Sequence, residues 1–307
     1  MSTLSDQCVG RWPGILEQLG IEARYLSGKH SDCPICDTGK DRWRFDNKKG
    51  RGDWICSVCG FGDGFDLLMR VKGYSFKEAA KEVEDVVGDV EQQPARQKAD
   101  PRIVLNRIGS GLLRLTGKDP ASLYLRNRGL QGIASYGLRY HPELAYFDKG
   151  QRLGIFPAMV AKICNAAGHG ETYHITYLTP DGQKADVPAA KKVMPPINTI
   201  NGGAIRLSPV AEHIGITEGI ENGLAAMEGE GLACWAAVSA GGIETFEPPQ
   251  EVRRITIFAD NDNNYRGQKA AYILANRLVQ KSGLSVDVVV TASDYLDQLV
   301  STRRNAA

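Results

Sequence analysis

Ile255-Thr256-Ile257-Phe258-Ala259-Asp260-Asn261-Asp262 decides the fold class of this chain. An apolar, β-branched run ends abruptly on two acids. A run of that length, bounded by polar residues, reads as a strand buried on both faces, as in a parallel sheet. The same pattern lies upstream at Ile214-Gly215-Ile216-Thr217 and Cys234-Trp235-Ala236-Ala237-Val238, and downstream from Val286 to Val290. Helical stretches separate these runs, notably Gly267 to Lys281. Strands alternating with helices predict a mainly parallel, four-stranded sheet with crossovers over residues 211–307.

Ligands of such sheets sit beyond the carboxyl ends of the strands. Glu218, which follows Thr217, can therefore meet Asp260 and Asp262 in one crevice. Three hard carboxylates with no His or Cys suit Mg²⁺ or Mn²⁺, and without a cation they would repel one another. Taken singly, each acid is an ordinary solvated strand end; the combination points to a metal. Glu218-Gly219 and Asp260-x-Asp262 resemble the two acidic motifs of the Toprim domain shared by primases, topoisomerases and some nucleases. The resemblance spans Glu212 to about Thr291 and implies metal-assisted, in-line transfer of a nucleotidyl group. It also implies catalytic roles for Glu218, Asp260 and Asp262, with Asp294 and Asp297 as further acids after the last strand. One position departs: many Toprim domains carry Asp four residues after the Glu, and here Asn222 stands there. Glu221, beside it, either substitutes or faces solvent.

Near the other end, Cys33-Pro34-Ile35-Cys36 and Cys56-Ser57-Val58-Cys59 are separated by 19 residues. Two matched knuckles can aim four thiolates at one zinc, giving a closed structural site with no open position for substrate. Between them runs Lys40-Asp41-Arg42-Trp43-Arg44-Phe45-Asp46. On a β-hairpin, alternation places Arg42 and Arg44 on one face and Trp43 and Phe45 on the other. Cations grip phosphates and aromatics stack on unpaired bases; the alternative is that Trp43, Phe45 and Trp54 form the ribbon's small core. With Cys59-Gly60-Phe61-Gly62-Asp63-Gly64 behind, the stretch resembles the zinc ribbon of phage- and plasmid-type primases. That likeness implies template binding by Arg42, Trp43 and Arg44. His30 precedes the ribbon but finds the four-cysteine shell already full.

Between the two ends, residues 103–210 read as an α+β segment that completes a primase core. Ile103 to Arg128 has helical period, and Thr172 to Leu178 is β-prone. Tyr124-Leu125-Arg126-Asn127-Arg128-Gly129 resembles a Tyr-Leu-x-x-Arg-Gly signature of this primase group. Arg128, Lys191, Lys192 and Arg206 are the cations expected to bind template or nucleotide phosphates, whereas Lys184 reads as an ordinary surface charge. Gly111 to Lys118 is no P-loop: the spacing is wrong, and Asp119 stands where a magnesium-binding Ser or Thr belongs.

Composition bounds these expectations. With 307 residues and 42% hydrophobic content, a small module and a larger domain can both bury cores. Lys plus Arg number 37 against 36 Asp plus Glu, so any basic surface must be local. The start is polar and the apolar runs are too short for a bilayer, so a cytoplasmic protein without a membrane partner is expected. Seven cysteines in a reducing compartment fit zinc better than disulfides.

Ribbon first, core next and Toprim last is the order of a DNA primase. The implied partners are single-stranded DNA, ribonucleoside triphosphates and a separate replicative helicase, and the implied cofactors are structural zinc and catalytic Mg²⁺ or Mn²⁺. A Toprim nuclease and a non-catalytic single-stranded DNA-binding adaptor are the rivals. Residues 1–88 form the zinc module with flanking helices. Residues 89–102 are a polar linker, since Glu91 to Lys98 offers almost nothing to bury. Limited proteolysis of the intact chain is expected to cut first between 88 and 102 and release a zinc-binding fragment. Resistance there, with cutting elsewhere, would overturn that boundary.

Overall fold

The computed structural model describes residues 3–92, 100–131, 136–291 and 293–306, without the side chains of Ser282 and Ala306. Half of the expected linker, residues 93–99, lies outside the described residues. The chain divides into two compact units, residues 1–98 and 99–307.

The first unit runs α1 (Leu4–Cys8), α2 (Trp12–Gln18), α3 (Ala23–Leu26), β1 (Trp43–Phe45), β2 (Trp54–Cys56), β3 (Gly60–Gly62), α4 (Gly64–Lys72) and α5 (Phe76–Val87). The three strands form an antiparallel sheet in the order β1-β2-β3. Trp43 and Trp54 stack on one of its faces with ring centroids 5.1 Å apart, and both are buried beside Trp12, Leu16, Phe65 and Leu68. The Gly62-Asp63-Gly64 exit has a packing cause. Asp63 caps α4 in a reciprocal box with Asp66. Gly64 lies so close to the Trp12 ring that a Cβ would meet it at 2.1 Å. Ser75 and Glu78 cap α5 in the same way.

The second unit begins with α6 (Pro101–Ser110) and α7 (Pro120–Asn127). Asp119, the residue that spoils the P-loop, is the N-cap of α7: its carboxylate accepts the Ser122 and Thr116 backbone N–H groups at 2.9 and 2.6 Å. Then follow β4 (Leu138–Asp148), β5 (Gln151–Cys164), β6 (Gly170–Tyr177), β7 (Lys191–Val193) and β8 (Ala204–Arg206). The last section is β9 (His213–Thr217), α8 (Ile220–Glu230), β10 (Cys234–Ala236), α9 (Ala240–Thr245), β11 (Arg254–Ala259), α10 (Arg266–Ser282), β12 (Ser285–Val290) and α11 (Tyr295–Ala306).

The expected parallel strands are β9 to β12, ordered β12-β11-β9-β10. They do not stand alone. β10 also pairs antiparallel with β8, β8 with β5, and β5 with β6 and β4, so one nine-stranded sheet runs across position 210. Its parallel part is covered by a core of Ile214, Ile216, Trp235, Phe246, Ile255 and Leu274, all buried. No described helix is long and apolar enough to cross a membrane.

Candidate active site and metal centre

The four cysteines of the first unit converge. Their sulfurs all lie within 4.8 Å of one another, and Cys33 and Cys59 are 3.9 Å apart. Ligands of a tetrahedral zinc with Zn–S of about 2.3 Å would be about 3.8 Å apart, so the donor set fits the ion. The Ile35 and Val58 backbone N–H groups point at the Cys33 and Cys56 sulfurs at 3.4 Å, which favours thiolate. The Thr38 hydroxyl is the main group bringing the Cys36 thiol down to about 6.

Around this site the arginines and aromatics separate. Arg42 is exposed and Arg44 partly so, with its Nε 3.1 Å from an Asp46 carboxylate oxygen. Trp43, expected to stack on bases, has no face to offer: it is fully buried, and its indole N–H donates to the Tyr25 carbonyl at 2.8 Å. The helices of the unit cover the face that Trp43 shares with Phe45, so these rings became core. The register places Arg44, Ile55 and Phe61 side by side on the other face, where Phe61 is 81% exposed.

In the second unit, a cavity of about 450 Å³ opens at the carboxyl ends of the parallel strands. Glu218 follows β9, Asp260 follows β11, and Asp294 lies between β12 and α11; all three line it. Asp262 is exposed and does not line the cavity, but its charge acts on the other three. Asp297 does not line the cavity, but its charge acts on Asp294. Gly267 lets α10 start against the Asp260 turn, because a Cβ there would meet the Asp260 carbonyl oxygen at 2.5 Å.

Burial, then the neighbouring Asp260 and Asp262, push the Glu218 carboxyl up to about 7. Burial, then Asp294, push Asp260 up to about 6. Such crowding of hard oxygen donors is what a divalent cation relieves. Among the described residues only the cysteines bring three or more donor atoms within 4.8 Å of one another, so these carboxylates share a cavity without closing on one point.

Asn222 and Glu221 have distinct tasks. The Asn222 side-chain amide donates to Asp260 Oδ1 at 2.9 Å, and its oxygen accepts the Leu296 N–H at 3.2 Å. An Asp there would add another buried charge and lose the donor that Asp260 uses. Glu221 neither replaces it nor faces solvent. It is 5% exposed, and its Oε1 accepts from the Tyr124 hydroxyl at 2.6 Å and the Lys191 ammonium at 2.8 Å.

The same cavity is lined by cations: Arg128, Lys184 and Lys191. His174 joins them, its imidazole held neutral down to about 4 by burial first and Lys191 second, against the pull of Glu221. The Tyr-Leu-x-x-Arg-Gly signature now has a physical meaning. Tyr124 and Arg128, a helical turn apart, send one side chain to Glu221 and place the other at the cavity. Lys192 projects from β7 away from Lys191, 3.8 Å from the Tyr146 ring centre, and Arg206 lies over Trp235 at 4.6 Å; neither lines this cavity. Lys184, read from the sequence as an ordinary surface charge, lines the cavity instead, and His174 was not singled out. Their distance from the acids along the chain hides them.

Three family models match the chain: the zinc-binding domain of primase-helicase at residues 28–65, a domain of unknown function (DUF7146) at 103–207, and the Toprim domain at 213–303. Among solved structures, the chain is similar to the zinc-binding and RNA polymerase domains of the Aquifex aeolicus primase. Identity is 16%, covering 98% of this chain and 86% of that one, with a TM-score of 0.45. A DNA primase domain from Pseudomonas aeruginosa gives 17%, 67%, 76% and 0.44 for the same quantities. The primase fragment of the bacteriophage T7 primase-helicase gives 15%, 90%, 96% and 0.39.

Two measurements test the metal chemistry. Purified protein should carry about one zinc per chain, and Cys56→Ser should lose it, whereas full retention of zinc would remove Cys56 from the site. For the acids, the sign follows from the raised Asp260 carboxyl. The folded chain keeps that proton to higher pH than the unfolded chain does, so stability is lost as pH rises from the ordinary carboxyl range through about 6. Asp260→Asn keeps the acceptor that Asn222 needs and removes the charge. Without added magnesium it should melt about 2–4 °C above the parent at pH 8 and level with it at pH 4, by scanning calorimetry. Equal melting at pH 8 would mean the carboxylates do not strain the fold.

Proposed function

We propose that this chain, which joins a primase-type zinc ribbon to a Toprim domain, is a DNA primase that makes short RNA primers on single-stranded DNA. One observation carries this: a single cavity holds acids that suit a hard cation beside cations that suit phosphate. Glu218 and Asp260, with Asp262 and Asp294 beside them, would hold Mg²⁺ or Mn²⁺. Bound there, the ion would screen the triphosphate and stabilise the charge that develops on the transferring phosphate. Arg128, Lys184 and Lys191 neutralise the remaining phosphate oxygens and orient the nucleotide. His174, neutral at physiological pH, offers a hydrogen-bonding group rather than another charge. Lys192 and Arg206 take no part at this cavity.

The zinc ribbon serves the template. Arg42 and Arg44 supply phosphate contacts, and the exposed Ile55 and Phe61 supply the apolar surface first expected of Trp43. Partners are single-stranded DNA, ribonucleoside triphosphates and a replicative helicase.

The test is a primer-synthesis assay with all four ribonucleoside triphosphates, a mixed single-stranded template and Mg²⁺ or Mn²⁺. The parent should make short RNA. Asp260→Asn should lower synthesis by about a hundredfold or more, because electrostatic stabilisation of the transferring group is the main catalytic device. Single-stranded DNA binding should persist in that variant. Primer synthesis at the parental rate by Asp260→Asn would sink the metal mechanism. A parent that cleaves strands and makes no primers would be a nuclease, and one that only binds DNA would be an adaptor.

A further inference from the structure

Glu221 is the one buried anion among the cations of the cavity, and metal binding does not use it. Its Oε1 takes two short bonds at once, from Tyr124 on α7 and from Lys191 on β7. Tyr124 is 2% exposed, while the Lys191 side chain keeps 38% of its surface open and lines the cavity. An ammonium has three donors, so Glu221 can anchor one and leave the others free. Arg128, Lys184 and His174 crowd the same place, and the charges of Arg128 and Lys191 both reach Lys184. Burying the carboxylate of an ion pair costs desolvation that offsets much of the attraction, so the pair is a poor stabiliser. Its position explains it better: Glu221 is the carboxylate that Lys191 is bonded to, where three other basic side chains line the same cavity.

We propose that Glu221 is a positioning residue, which, locked by the Tyr124 hydroxyl, holds the Lys191 ammonium in place to grip the phosphates of a bound nucleoside triphosphate. This rests on the nucleotide-site reading given above. The Glu221 carboxylate remains ionised throughout the physiological range: burial opposes its charge, but Lys191 and Tyr124 prevail and keep it at about 2. Glu221 is thus a fixed charge that sets where the Lys191 charge resides.

The test is equilibrium binding of the magnesium complex of a non-hydrolysable ATP analogue to the full chain, by calorimetry, for Glu221→Gln, Lys191→Met and the double variant. Each single change should weaken binding about tenfold, the usual scale for one charge-assisted contact. The double should be no weaker than the worse single, because the two side chains act as one unit. In primer synthesis, Glu221→Gln should raise the nucleotide KM by a similar factor and leave kcat within about twofold, as expected for lost ground-state binding. Tyr124→Phe, which removes one hydrogen bond and keeps the ring, should show a smaller loss of the same kind and stands in if Glu221→Gln fails to fold. Parental affinity in Glu221→Gln, with only a lower melting temperature, would make the pair a scaffold and overturn the proposal. Additive losses in the double variant would also overturn it. A parent that binds no nucleotide would sink the nucleotide-site reading itself.

Discussion

Two residue pairs, Trp235 opposite Arg206 and Ala236 opposite Ile205, form the antiparallel seam where the parallel strands meet the rest of the sheet. β8 is three residues long, yet it is paired on both edges, with Ile205 also opposite Ile163 on β5. Everything in the cavity depends on that seam. Glu218, Asp260 and Asp294 come from the parallel side, and His174, Lys184 and Lys191 from the antiparallel side. Ile205 is fully buried and lines the cavity between these two groups in the chain. Two family models meet close to this point, one ending at 207 and the other beginning at 213. The sheet ignores that division.

The seam gives the cavity its electrostatic character. Acids alone would favour protonation and cations alone would scatter, whereas side by side each set lowers the cost of confining the other. Arg128 acts downward on the Asp294 carboxyl, and Arg266 downward on Glu218. Glu218, Asp260 and Asp294 still titrate high, so the balance is incomplete within the protein, as befits a site meant to take a cation and a polyanion together.

Local features were legible from the residues, and long-range ones were not. Each strand ending on an acid could be seen because a strand and the turn after it are one continuous stretch, and the zinc ligands because their spacing is a local geometry. The burial of Trp43 could not be seen: alternation separates the two faces of a hairpin but does not say which one α2 and α4 will cover. The same limit applies to Lys191 and Lys192, whose opposite directions follow from strand parity while the choice between them does not. Glu221 was hardest, because its partners lie 97 positions away at Tyr124 and on strand β7 at Lys191, while it sits on a helix. Asn222 looked like a defect beside the usual Asp; its two hydrogen bonds make it a tie between Asp260 and α11.

That tie has a consequence for how the protein comes into being. The ribosome delivers the chain N-terminal end first, so Asp260 is in place before Leu296 exists. Until α11 emerges, the Asn222 oxygen has no Leu296 N–H to accept, Val300 is not yet against Gly129, and Arg303 cannot reach Glu228 or the Gly129 carbonyl. The nascent zinc module, a compact unit in its own right, can fold early. The acidic cavity is completed late, when the helix that braces α8 and the turn after α7 has been made.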